Sequence, residues 1–428
     1  MKKSLLAVAA LGAFASAAQA QSSVTVYGIL DMGYVGYNTR LAPGNAAAGP
    51  NSTVSKTTGN TFTQSAESTS RLGFKGVEDL GGGTSAFFTI ELGLTPASSP
   101  YAVNTGTTQN RQSFVGLKKN GLGDFAVGTQ YTVIHNAVSA TDPGNANNMM
   151  GNVIYTAGTG SGAPVGNENG VSYTIRTNNA LTLNTDSFAG FKAHAILIAN
   201  NQNSNQTTTS SSTTTATTST QTSTILGGTN NQNGWGIGLD YTWNKLFVTA
   251  AMQQLKAQNP ITWTRTTTNA TGATTGTFVA GSPVIFGLAQ SAALGTNVQD
   301  NQYYAAATYD FGILKAYAQY VNRKASLQED NGYYLKRNAQ QIGVRSYITP
   351  TIEAWASGGL GKYTASGYNN PAANITAWQI GSNYWLSKRT NLYAIYGQTG
   401  TSNVSIVNNG NPASTNANNY AVGVRHTF

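Results

Sequence analysis

The closing stretch of the chain, Asn419–Phe428, constrains the fold more than any other. Read at period two, Tyr420, Val422, Val424, His426 and Phe428 fall on one side, and Ala421, Gly423, Arg425 and Thr427 on the other. That alternation is a strand with one apolar face and one small or polar face. A strand at the end of a chain has an open edge unless something pairs with it. Val24 to Tyr34 alternates in the same way, with Val24, Val26, Leu30, Met32 and Tyr34 on one face and Thr25, Tyr27 and Asp31 on the other. The expectation is that the last strand pairs with the first and closes a barrel, which leaves no edge and lets a sheet stand in lipid.

The pattern repeats between these ends. Strand–turn–strand units are expected at Ser70–Val77 with Ser85–Leu94, Arg111–Lys118 with Asp124–Thr132, Gly170–Arg176 with Gly190–Ala199, and Gly234–Trp243 with Leu246–Leu255. Three more follow: Tyr303–Tyr309 with Ile313–Arg323, Ala339–Ile348 with Ile352–Gly361, and Ile375–Trp385 with Thr390–Gly400. Gly, Asn, Asp and Pro stand where the turns need them. With the two terminal strands this makes about sixteen, an even number as single-chain bacterial barrels require. Strands near ten residues match the ~9–11 that cross hydrocarbon at a tilt.

Composition points the same way. Charged residues are 9% of the chain, against roughly a quarter in an ordinary soluble domain, and Gly (48) and Tyr (22) are frequent. Cysteine is absent, so no disulfide framework is available. Lys2 and Lys3, the apolar run Leu5 to Ala18 and the small-x-small site Ala18-Gln19-Ala20 read as a secretory signal peptide over residues 1–20, with 21–428 as a single barrel domain. Loss of Lys2 and Lys3 lowers the formal net charge from +9 to +7. No later run approaches the ~20 apolar residues of a spanning helix. The segment 200–233 is almost entirely Asn, Gln, Ser and Thr and offers no apolar core, so it is expected to be a low-complexity extracellular loop without firm order.

Several stretches resemble the Gram-negative general porin family, in the branch typical of β-proteobacteria. They are Ser22–Asp31, Ser70–Gly81, Arg111–Leu117 with Val127–Tyr131, Gly381–Thr390 and Val422–Phe428, spread in order over the mature chain. The resemblance implies an all-β transmembrane antiparallel barrel with short periplasmic turns, long extracellular loops and an inward-folded third loop, here 133–168. It implies a homotrimeric, water-filled channel in the outer membrane, surrounded by lipid and lipopolysaccharide and delivered by the outer-membrane assembly machinery, with Phe428 as the terminal assembly signal. Small ions and solutes would be its partners; no nucleic acid, cofactor or enzymatic role is expected.

A channel works through the charges of its lumen. In Arg71–Lys75, Leu72 and Phe74 are expected to face lipid, so Arg71 and Lys75 point inward; in the next strand Glu91 points inward opposite Phe88, Ile90 and Leu92. Phe114, taken as facing out, puts Arg111 and Ser113 inside. The same reading turns Lys192, Lys315, Arg345 and Arg425 inward, with Asp31, Asp240 and Glu353. Seven bases against four acids give a modest cationic bias and a weak anion preference. The resemblance places Arg71 and Arg111 on the basic wall of the constriction, while Thr129 stands where the family often has a base. Asp142 and Glu168 are the expected acids of the constriction loop, across the opening. His135, His194 and His426 are the only histidines, and none has metal-ligand spacing to another ligand type. No nucleophile elbow or phosphate loop is present, which disfavours a barrel lipase or protease. The alternative left open is a secreted or outer-membrane β-structured adhesin or receptor without an open pore.

Overall fold

The computed structural model describes residues 23–43, 54–97, 110–156, 172–215, 218–258, 261–268, 274–280, 284–285, 288–289, 297–328, 334–366, 372–402 and 413–428. The expected signal peptide and Glu168 lie outside the described residues. The chain opens with β1 (Ser23–Pro43), β2 (Ser55–Gln64), β3 (Arg71–Gly81) and β4 (Thr84–Gly93), then β5 (Asn110–Lys119) and β6 (Gly123–Tyr131). A helix, α1 (Val133–Thr141), separates these from β7 (Arg176–Thr185), β8 (Phe191–Thr215), β9 (Thr218–Trp243) and β10 (Leu246–Gln258). Short pieces follow: β11 (Ile261–Thr268), β12 (Thr274–Ala280), β13 (Val284–Ile285) and β14 (Leu288–Ala289). The remainder is β15 (Asn297–Asp310), β16 (Lys315–Leu327), β17 (Tyr334–Tyr347), β18 (Ile352–Ser366), β19 (Ala372–Trp385), β20 (Thr390–Thr401) and β21 (Ala413–Thr427).

Neighbouring long strands pair antiparallel around the molecule, with β10 passing over the short pieces to pair with β15. The ring closes between β21 and β1, from Ile29 opposite Thr427 to Pro43 opposite Ala413. β1 also pairs with β3 through its first part and with β2 through its second. β2 and β3 therefore share one place in the wall, and the closed antiparallel barrel has 16 strands. Closure leaves the sixteen-strand wall without a free edge, the one way an all-β sheet can span a membrane. At the seam the Phe428 N–H donates to the Gly28 carbonyl and the Gly28 N–H to the Phe428 carbonyl, both at 3.1 Å. The Phe428 ring lies where a side chain at Gly28 would stand: a Cβ there would come within 2.3 Å of it.

Register sorts the side chains. Val24, Val26, Val422 and Val424 are exposed on the outer face, while Asp31, Val35 and Ala421 are buried on the inner one. Two elements differ from the sequence reading. The first strand of the third pair is β7, which begins at Arg176, where the expected strand Gly170–Arg176 ends. Tyr173 and Ile175, which fall within that expected strand, instead pack inside the barrel with α1. The segment 200–233 carries the β8–β9 ladder on to Thr215 opposite Thr218. Threonine is β-branched and suits an extended ribbon, and the paired backbone supplies its own hydrogen bonds without an apolar core.

α1 and the residues after it lie within the barrel. Thr132 caps the helix, its Oγ1 accepting the His135 N–H at 3.2 Å. Asp142 and Pro143 end it, with the Asp142 N–H on the Val138 carbonyl at 2.9 Å. Val133, Ile134 and Val138 bury their side chains against Ile196, Tyr304 and Val321 of the wall.

Candidate functional site

Arg71, Glu91 and Arg111 meet on the inner face of β3, β4 and β5. The Arg111 Nε donates to Glu91 Oε1 at 2.7 Å, and Arg71 Nη1 stands 3.7 Å from the same oxygen. Tyr27 donates its hydroxyl to Glu91 Oε2 at 3.1 Å, and Arg111 Nη2 donates to the Tyr131 hydroxyl at 2.8 Å. Arg71 is held further by the Thr69 carbonyl and the Ser68 hydroxyl, each at 2.9 Å. Arg176 lies 5.6 Å over the Tyr131 ring, and Lys75 lies 5.4 Å over Tyr27. His135 of α1 packs against Tyr131 with ring centres 4.4 Å apart. Burial first, then the charges of Arg176, Arg111 and Arg71, push its pKa down to about 3, so it stays neutral.

Arg111 reaches this cluster through a β-bulge. Glu91 pairs with Gln112 and Leu92 with Asn110, so Arg111 is the extra residue. The bulge shifts the phase of the strand. Phe114 lies opposite Thr89 and Gly128 on the inner face, and Ser113 lies opposite Ile90 on the outer one. Strict alternation, which carries no sign of an inserted residue, places these two the other way round.

Asp142 also sits away from its expected place. It does not face Arg71 and Arg111 but lies on the far wall. Its Oδ1 accepts from Asn152 Nδ2 at 2.7 Å and from Gln341 Nε2 at 3.2 Å, and its Oδ2 accepts the Ala146 N–H at 2.8 Å. Burial raises the pKa of its carboxyl above the ordinary carboxylate range. Asp142 was expected to oppose the basic wall because it lies in the inner segment. The path of that segment, fixed by wall glutamines, carries it elsewhere.

Those glutamines form a belt. Gln341 donates to Gln319 Oε1 at 2.9 Å and accepts the Val153 N–H at 3.1 Å. Gln379 exchanges hydrogen bonds with the Asn147 amide at 2.8 and 2.9 Å and donates to the Met150 carbonyl at 2.8 Å. Gln302 accepts the Thr174 N–H at 2.7 Å and receives Gln253 Nε2 at 2.8 Å. Glycines make room for the segment: a Cβ at Gly359 would come within 2.4 Å of the Val153 side chain.

The remaining expected residues lie in separate groups. Arg345 pairs with Glu353 at 3.2 Å, and its Nε donates to the Pro143 carbonyl at 2.9 Å. Arg425 stands 3.5 Å from Glu67 and over the Trp385 ring. Asp31 is fully buried, accepting the N–H groups of Glu67 and Ser68 and the Tyr393 hydroxyl. Lys315 lies 5.3 Å over Tyr317. His194 Nε2 is 3.1 Å from Asp240 Oδ2. Residues the sequence reading passed over are Glu67, Arg176, Arg323 and Arg337. Arg323 pairs with Asp300 at 2.6 Å, and Arg337 donates to the Val153 carbonyl. Period two through Tyr317, Gln319 and Val321 would have found Arg323; Glu67 lies between strands, where alternation gives no signal.

A sixteen-strand barrel carrying a bonded segment within it can be compared with known proteins. A family profile described as Gram-negative porin matches residues 7–404. The chain belongs to the Gram-negative porin family. An outer membrane porin protein of Bordetella pertussis is 34% identical over 194 residues, covering 45% of this chain and 46% of that one. Outer membrane porin protein 32 of Delftia acidovorans is 36% identical over 196 residues, covering 45% and 48%. The chain thus spans about half the length of these curated porins. Among solved structures, the anion-selective porin from Comamonas acidovorans superposes with TM-score 0.61 at 20% identity, over 95% of this chain and 100% of that one. The trimer form of OmpT from Vibrio cholerae gives 0.56 at 14% identity, over 95% and 99%. At these identities the likeness is one of fold. Family and barrel together make this porin an outer-membrane protein.

Proposed function

We propose that this porin forms a water-filled channel for passive diffusion of small hydrophilic solutes and ions, with a weak preference for anions. The observation that carries this reading is the placement of the inner segment. Residues 141–153 are bonded mainly to β15–β21, with Asn148 also reaching the Ser65 and Ala66 carbonyls and Thr69 Oγ1, and Arg71, Arg111 and Arg176 gather beyond that contact on β3, β5 and β7. In this reading 133–168 is the constriction loop and the basic cluster sets the sign of the selectivity. Glu91 offsets part of that charge, so the bias is modest. The remaining inner bases, Lys75, Lys315, Arg345 and Arg425, and the inner acid Asp31 tune the field further along the lumen. The channel performs no reaction. It works as a homotrimer among outer-membrane lipid and lipopolysaccharide, with 200–233 projecting to the outside. The Comamonas porin is anion-selective and OmpT forms a trimer, and both agree with this reading.

Zero-current potentials across a salt gradient test the sign. The wild-type channel is expected to favour chloride. Changing Arg71 and Arg111 together to Ser is expected to move the potential toward cation preference, with the shift shrinking as salt rises, because the screening length falls from ~10 Å at 0.1 M to ~3 Å at 1 M. A wild-type channel that favours potassium would overturn the assignment.

Phe428 is proposed as the assembly signal. In the folded barrel its backbone makes two hydrogen bonds to Gly28, worth roughly 1 kcal/mol each. Deleting Phe428 is therefore expected to slow insertion far more than it lowers the unfolding temperature of protein already assembled. A deletion variant that assembles at the normal rate removes Phe428 from that role.

A further inference from the structure

The bulge at Arg111 turns the Phe114 side chain to the inner face of the wall. Phe87 and Phe114 meet on the inner face, edge to face, with ring centres 6.2 Å apart and both half-buried. They line a cavity of about 190 Å³ between the wall and α1. Along the strands, Gln112 and Tyr131 line it toward one end, and Asp124 and Asn184 toward the other. Tyr131 is also a wall of the basic cluster, accepting from Arg111 at 2.8 Å and lying under Arg176 at 5.6 Å. A water-filled duct has no use for two phenylalanines on its lining, since exposed apolar area there costs free energy that a polar residue avoids. An apolar solute group passing close by recovers that cost.

We infer that this cavity is a binding subsite for aromatic monocarboxylates. The ring of such a solute lies against Phe87 and Phe114, where edge-to-face contact is favoured. Its acid group points to the Gln112–Tyr131 end, into the field of Arg111, Arg176 and Arg71, which Glu91 offsets in part. Asp124 at the opposite end repels the acid group and fixes that orientation; its Oδ1 already accepts from Asn184 at 2.7 Å. The role in permeation rests on the channel reading above, but the binding does not.

Equilibrium dialysis of the full protein in mild detergent, with benzoate and acetate as probes, tests the subsite. Benzoate is expected to bind about tenfold more tightly than acetate, the effect of partly burying one ring. In the Phe87→Leu/Phe114→Leu double variant, which keeps apolar side chains of similar size, that preference is expected to fall roughly three- to tenfold. Equal affinities in the wild type, or an unchanged preference in the folded double variant, overturn the inference. A protein that conducts chloride without preferring benzoate loses the subsite and keeps the channel reading. One that binds benzoate but carries no current keeps the subsite and loses the channel reading.

Discussion

Replacing Gly397 by Val is expected to expel the inner segment from its seat and raise the single-channel conductance while the barrel still assembles. Gly397 lies on the inner face of β20, between Gln379 of β19 and Asn419 of β21. Both neighbours hold Met150: Gln379 donates to its carbonyl at 2.8 Å, and its N–H donates to Asn419 Oδ1 at 3.1 Å. A Cβ at Gly397 would stand 1.7 Å from the Met150 carbonyl oxygen and 2.6 Å from its carbon. Those atoms are backbone, so no side-chain rotation relieves the clash, and overpacking costs about 1–3 kcal/mol or more. The wall is braced by paired strands on both sides, whereas the segment is held near this point by a few hydrogen bonds of roughly 1 kcal/mol each. The segment is therefore the part that moves. Conductance and the size limit for neutral sugars are expected to increase together. A folded Gly397→Val protein with wild-type conductance would show that residues 147–153 do not set the width of the channel.

The barrel was legible wherever apolar and small residues alternate. β1, β3, β4 and β15 to β21 carry an apolar outer face because lipid demands one, and the polar or small inner face follows from water. The exceptions have physical causes. β2 reads Ser55-Lys56-Thr57-Thr58-Gly59-Asn60 and has no apolar face to detect. β7 shows only Leu181 and Leu183 at period two, beside the stronger but misleading Tyr173 and Ile175. The extension of β8 and β9 over 200–233 is held by backbone pairing, which leaves no hydrophobic trace.

The candidate site was legible to the same depth. Arg71 and Glu91 lie on regular strands, and alternation turns both inward. Arg111 was read as inward through a phase that the bulge overturns; it points inward because it is the bulged residue. Asp142 shows where such reading stops. Its partners, Asn152 and Gln341, are set by the path of a segment folded inside the barrel. Nothing in local periodicity encodes that path, because the contacts join positions far apart in the chain.

Glu91→Gln is expected to strengthen the anion preference and to weaken the fold at the same time. Glu91 is one carboxylate serving three donors: Arg111 at 2.7 Å, Tyr27 at 3.1 Å and, more loosely, Arg71 at 3.7 Å. Its side chain is 4% exposed and that of Arg111 is 6%, so solvent does little to replace the lost charge. Removing one partner of a buried pair typically costs about 3–5 kcal/mol, because the other charge remains desolvated. The amide keeps the shape and one acceptor, which places this variant toward the lower end of that range. For the channel the sign is opposite to that of the Arg71→Ser/Arg111→Ser pair, because the cluster loses its acid and keeps its bases. A unit charge at about 8 Å contributes roughly 0.5 kcal/mol in bulk-water dielectric and about 2 kcal/mol at an effective value of 20. The chloride-to-potassium permeability ratio at low salt is therefore expected to rise at least about twofold, and to return toward the wild-type value near 1 M, where the screening length is ~3 Å. Glu91→Asp, which keeps the charge, is expected to stay close to wild type in selectivity. An unchanged ratio at low salt in a folded Glu91→Gln channel would mean that the ion path does not pass the basic cluster.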